Sequence, residues 1–176
     1  MPGQIPGVQR VQTLKILGVT IDGSLQATSH VDATVSACSR SLYALRVLRA
    51  HGLPPHSLHL VAGATTIAKL LYAAPSWCGL ATEADRTRIE RVLRRMKKTG
   101  YLPEEYGTSS EKVSAAEVSL LRAVGNCPNH VLRSIFPPVV ERTYDRRPRP
   151  HDYQLPQRDD RNFINRVLFR LLRPEP

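Results

Sequence analysis

The chain has 176 residues, 25 of them Lys or Arg against 15 Asp or Glu, for a formal net charge of +10. That length allows one domain, or a compact domain plus a tail, and the 14 prolines argue against a single uninterrupted fold. The charge selects polyanionic partners, nucleic acid before an anionic membrane. Cys38, Cys78 and Cys127 have no zinc-site spacing, so neither a metal centre nor a disulfide framework is expected.

The opening "MPGQIPGVQR" reads as a loop or linker and lacks the apolar run of a signal peptide. No segment is counted as approaching the roughly 20 apolar residues that span a bilayer, and an intracellular chain is expected. "VQTLKILGVTI" is rich in β-branched residues and nearly alternates, which predicts a strand or a hairpin arm. Gly18 in its middle points to a bulge or a close backbone approach, and "DGS" at 22–24 ends it as a turn.

From residue 28 the period changes. Ser29 followed by Asp32 predicts an N-cap with an acid in the first turn. Val31, Val35, Cys38, Leu42, Leu45 and Leu48 then share one helical face; Arg46 and Arg49 suit the C-terminal end, and Gly52 stops the helix. A second helix is predicted from Pro54-Pro55 to "AAP", with Gly63 and Ala64 admitting a close neighbour. Thr82 and Asp85 cap a third over 83–98, whose apolar stripe is Ile89, Val92, Leu93 and Met96. A fourth is expected over 110–124, carrying Val113, Ala116, Leu120, Leu121 and Val124, then a short amphipathic stretch to Phe136. "ERTYDRRPRPHDYQLPQ" reads as an extended Arg/Pro-rich arm, and "DDRNFINRVLFRLL" recovers helical spacing. The expected fold is mainly α: a short N-terminal strand or hairpin, a helical bundle, and an extended arm ending in a short helix.

Catalytic constellations fail one by one. His56 and His59 could share a helical face but lack a third ligand, and neither a Gly-x-Ser-x-Gly elbow nor a phosphate-binding Gly-rich loop exists. Asp159-Asp160 could suggest a two-metal site. Their position before an amphipathic run instead predicts a helix cap. The positive signal is the third helix, where Arg91, Arg94, Arg95 and Lys98 share one side, with Arg88 nearby, and could meet successive phosphates. The bland alternative is a solvated face partly balanced by Asp85 and Glu90. Trp77 in "PSWCG" reads as a core anchor rather than a base-stacking platform.

Three segments carry a resemblance. "LKILGVTIDGSLQATSHVDATVSACSRSLYALRVLRAHGL" resembles the strand after the palm and the first thumb helix of reverse transcriptases from non-LTR (LINE-type) retrotransposons. "AKLLYAAPSWCGLATEADRTRIERVLRRMKK" resembles the continuing thumb, and "RPRPHDYQLPQRDDRNFINRVLF" is similar to the closing segment of some arthropod-type elements. The resemblance implies that Leu17-Gly18 belong to a primer grip and that the basic helix contacts a duplex. It divides the chain into a linker and primer-grip-like strand (1–27), a thumb-like bundle (28–99), a helical extension (100–138) and the arm with its terminal helix (139–176).

The same resemblance implies that the fingers and the metal-binding palm would lie upstream of Met1. No catalytic residue, metal ligand or cofactor is then expected in this chain, Mg2+ belonging to the parent polymerase. The expected partners are an RNA–DNA or DNA duplex and the missing palm and fingers, with no membrane and no small-molecule substrate. The location would be nuclear if the chain acts with its parent. The alternatives are a truncated transposon relic without function, and a basic helical protein-interaction module.

Overall fold

The near-alternating segment at the N-terminus folds back on itself. In the computed structural model, which describes residues 6–7, 9–140 and 151–171, β1 (Thr13–Ile16) and β2 (Val19–Asp22) form an antiparallel hairpin. Its register pairs Thr13 with Asp22 and Ile16 with Val19. Leu17 and Gly18 are the two-residue loop, at φ 46° and 88°, and two successive positive φ values match the right-handed twist of the strands. Gly18 is therefore a turn residue and not a bulge. A Cβ there would lie 3.2 Å from Cε1 of Tyr72, and the Tyr72 hydroxyl donates to the Leu17 carbonyl at 3.1 Å. Asp22 closes the far end by accepting from the Ser24 and Gln26 amides, each at 2.9 Å.

The remaining elements are helical, so the fold is mainly α. α1 (Thr28–Ala50) starts one residue before the expected cap: Ser29 lies inside it, and Ala27 occupies the cap position without a side-chain bond. The physical reason is a distant one, since the Thr28 hydroxyl donates to Asp85 at 2.8 Å instead of serving its own helix end. His30, Val31, Thr34, Cys38, Leu42 and Leu45 are its buried face, while Leu48 is 37% exposed. Gly52, at φ 86°, ends the turn as its amide donates to the Arg49 carbonyl.

α2 (Pro55–Ala62) runs into a π-turn (Gly63–Ile67) and a closing turn, α3 (Ala68–Leu70). Gly63 and Ala64 do not admit a neighbouring helix as expected: a Cβ on Gly63 would meet nothing within 4 Å. Ala62 and Thr66 are the fully buried residues there, with Cys38 Sγ 3.8 Å from the Thr66 carbonyl. After a break at Ala73 (φ 49°) come α4 (Ala74–Trp77) and a 3-10 turn (Cys78–Leu80). Trp77 is 2% exposed, donates Nε1–H to the Tyr72 carbonyl at 2.8 Å and meets the His30 ring edge-on at 5.2 Å, a core anchor.

By length and composition Pro55–Leu80 could cross a membrane, contrary to expectation: an 18-residue window in it has a mean hydropathy of 1.2, and 33% of that window is buried. Its Leu58, Ala62, Ile67, Leu70, Ala74 and Trp77 are buried within the protein, and the helix breaks at Ala73. Such a break in lipid would leave backbone groups unpaired.

α5 (Glu83–Lys98) begins at the expected cap, Thr82 and Asp85 bonding reciprocally, and buries Ile89, Val92, Leu93 and Met96. It packs on α1. The compact unit does not stop at residue 99: Tyr101 and Leu102 are buried, and the unit runs to Ser109.

A second compact unit follows from residue 110. α6 (Ser109–Asn126) buries Val124 and, in the middle of its apolar face, Glu117. The expected amphipathic stretch to Phe136 contributes only a 3-10 turn (Arg133–Ile135). α7 (Phe163–Leu171) buries Ile164, Val167 and Leu168. Glu117, fully buried, accepts from Arg166 Nε at 2.7 Å and pairs also with Arg170. Residues 141–150 lie outside the described residues, and the part of the arm after them, 151–162, is irregular backbone that pairs back on the segment before it. Val139 bridges to Tyr153, the Val140 amide donates to the Asp152 carbonyl at 2.8 Å, and His151 Nε2 lies 3.0 Å from the Leu168 carbonyl. Asp159 and Asp160 do not cap α7. Asn162 does, accepting from the Ile164 amide at 2.9 Å, while Asp159 accepts from the Arg161 amide and Asp160 pairs with Arg158 at 3.3 Å.

Candidate nucleic-acid interface

The α5 cations separate into two sets. Arg91, Arg94, Arg95 and Lys98 point away from the buried stripe and are exposed. Among the described residues none of the four forms an ion pair. Arg88 is different. Its guanidinium lies 2.5 Å from an Asp32 oxygen and 3.3 Å from an Asp85 oxygen, tying α5 to α1. Hydrogen bonding to Asp32 raises its already high pKa.

The two carboxylates that could have balanced the exposed face are engaged elsewhere. Asp85, 1% exposed, accepts from the Thr82 amide at 3.1 Å and from the Thr82 and Thr28 hydroxyls at 2.8 Å each. Burial alone would push its carboxyl up, but those hydrogen bonds and the Arg88 charge outweigh burial and hold it below the ordinary carboxylate range. Glu90 accepts from the Ser109 amide at 2.8 Å and the Ser109 hydroxyl at 2.7 Å. The face of Arg91, Arg94, Arg95 and Lys98 therefore stands uncompensated, as a phosphate-binding surface requires.

Leu17 and Gly18 occupy the hairpin tip, where Leu17 is 88% exposed. Their neighbour is Tyr72, and no hydrogen bond or ion pair among the described residues joins the tip to the α5 cations. Among the described residues no three His, Cys, Asp or Glu side chains converge, and Asp159 and Asp160 are engaged locally.

One feature lies outside the sequence expectations. Between α1 and α5 is a groove of about 250 Å³ lined by Tyr43, Arg46, Arg49, Arg95, Thr99 and Tyr101. Arg49 is set in place: its Nη1 donates to the Thr99 carbonyl at 2.7 Å, and its guanidinium carbon lies 4.9 Å from the Tyr101 ring centroid. Arg46 and Arg49 read as cations at a helix end, whereas the i, i+3 row Tyr43–Arg46–Arg49 was the available signal for a shared face.

Comparison with protein-family models, curated proteins and solved structures gives no match.

Proposed function

We propose that this chain is the primer-grip and thumb part of a non-LTR reverse transcriptase, holding a template–primer or target duplex without performing the chemistry itself. The observation that carries the reading is the uncompensated cationic face of α5. The hairpin adds to it, because its two-residue tip, Leu17 and Gly18, stands exposed where a primer end would rest, held from the side by Tyr72. In this reading the tip approaches the primer terminus, and Arg91, Arg94, Arg95 and Lys98 meet successive phosphates. The catalytic carboxylates and their Mg2+ belong to the palm of the parent polymerase, and the site of action is nuclear.

A purified chain should bind a labelled RNA–DNA hybrid with strong salt dependence. With four phosphate contacts the affinity should fall roughly 100-fold between about 50 and 200 mM salt, each contact adding about −0.9 to the log–log slope. Replacing Arg91, Arg94, Arg95 and Lys98 together by Glu should abolish binding while the helical circular dichroism stays intact. Binding indifferent to those changes sinks the assignment.

A second reading, a basic protein-interaction module, is favoured by the apolar side chains left open along β1, Leu14 at 53% and Ile16 at 51% exposure. It predicts a folded chain with no salt-dependent affinity for the hybrid.

A further inference from the structure

We infer that the groove between α1 and α5 is a subsite for one unpaired nucleotide of a single strand, its base stacked on Tyr43 and its phosphate held by Arg46 and Arg95. The inference deepens the nucleic-acid reading above by adding a position where a strand leaves the duplex. Four observations carry it. The groove gathers three guanidinium groups from two helices, and no carboxylate lines it. Guanidinium forks match phosphate oxygens bidentately, which a lysine-lined surface would not do. Tyr43 is 69% exposed and forms no aromatic pair or side-chain hydrogen bond among the described residues, so a large π-face stands open beside the cations. Arg49 is fixed by Thr99 and Tyr101, which pre-orders one wall of the groove. The volume, about 250 Å³, falls below the roughly 300–1,000 Å³ of pockets for whole small ligands and suits one unit of a longer strand.

Arg95 belongs to both the groove and the exposed α5 face, so it is a poor discriminator. Tyr43 and Arg46 lie on α1 and are not among the α5 cations. Both are exposed, and changing them leaves the core intact.

The test is fluorescence anisotropy of the full chain with three labelled probes: a blunt RNA–DNA hybrid, a short oligothymidylate, and an abasic strand of the same length. Tyr43→Ala should weaken oligothymidylate binding about tenfold, the scale of one base–aromatic stack, and should leave the abasic strand and the blunt hybrid unchanged. Tyr43→Phe, which keeps the ring, should bind like the unmodified chain. Arg46→Glu should weaken both single strands. Tighter binding of a 5′-phosphorylated oligothymidylate would assign the groove to a terminal phosphate, and equal binding would assign it to an internal phosphodiester.

An oligothymidylate affinity untouched by Tyr43→Ala overturns the subsite while leaving hybrid binding standing. Equal losses for hybrid and single strand also overturn it, since the groove would then be an extension of the duplex face. Tyr43-dependent binding of the single strand without any hybrid binding keeps the subsite and removes the duplex reading. Failure of the unmodified chain to bind any probe removes both.

Discussion

His30 is the residue whose protonation the fold resists most plainly. It is 7% exposed against Trp77, its Nε2 has no hydrogen-bond partner among the described residues, and burial, with the Lys15 charge second, lowers its pKa from 6.5. A depressed histidine pKa stabilises the fold fully above pH 6.5. The benefit is lost as pH falls from there through the folded value, because the unfolded chain takes up a proton that the folded chain refuses. Asp85 has the same sign in a more acidic window, its contribution disappearing as pH falls below the ordinary carboxylate range through its lowered folded pKa. Urea unfolding of His30→Phe should therefore show a shallower stability loss than the unmodified chain between neutral pH and about pH 5. Parallel pH profiles would mean that the other histidines carry the dependence. Thr82 and Asp85 could be recognised as a cap from their spacing. That the same carboxylate also accepts from Thr28, 57 positions away, could not. This is why the start of α1 was misplaced by sequence.

At the scale of elements, the two-residue hairpin and the α6–α7 pair show opposite degrees of legibility. Strand propensity was visible on both sides of Gly18, but Leu-Gly lacks the Asn-Gly or Asp-Gly chemistry that announces a tight turn. The missing information was Tyr72, which holds the tip from a distant helix end. Helical periodicity located α6 and α7 well, yet Glu117 fell on a face read as apolar. Two arginines from α7 make its burial tolerable: Arg166, at 10% side-chain exposure, and Arg170. Removing the charge takes from both guanidinium groups the carboxylate they share and leaves Arg166 its bonds to the Asp160 and Arg161 carbonyls and Arg170 its bond to Ser114. Glu117→Gln should cost about 3 kcal/mol of the second unit's stability, read from denaturant melts. Replacing Glu117, Arg166 and Arg170 together by apolar residues should recover much of that loss. A single Glu117→Gln change within about 0.5 kcal/mol of the unmodified chain would show the cluster to be dispensable.

Across the whole molecule, the sequence boundaries and the compact units differ for a physical reason. Composition marked the Arg/Pro-rich segment as separate, but pairing of 139–140 with 152–153 and packing of α7 join its described part to the second unit. The division also gives the cysteines different meanings. Cys38 is buried in the first unit, where burial raises its thiol pKa, Cys78 is half-buried, and Cys127 is exposed in the second. Their reactivity is thus a built-in clock. A disulfide-exchange reagent should modify Cys127 in the native protein at once, and reach Cys38 only when the first unit opens. The rate of that slow step, followed by mass spectrometry without any added label or mutation, would measure how often the proposed nucleic-acid grip comes apart, and whether a bound strand keeps it shut.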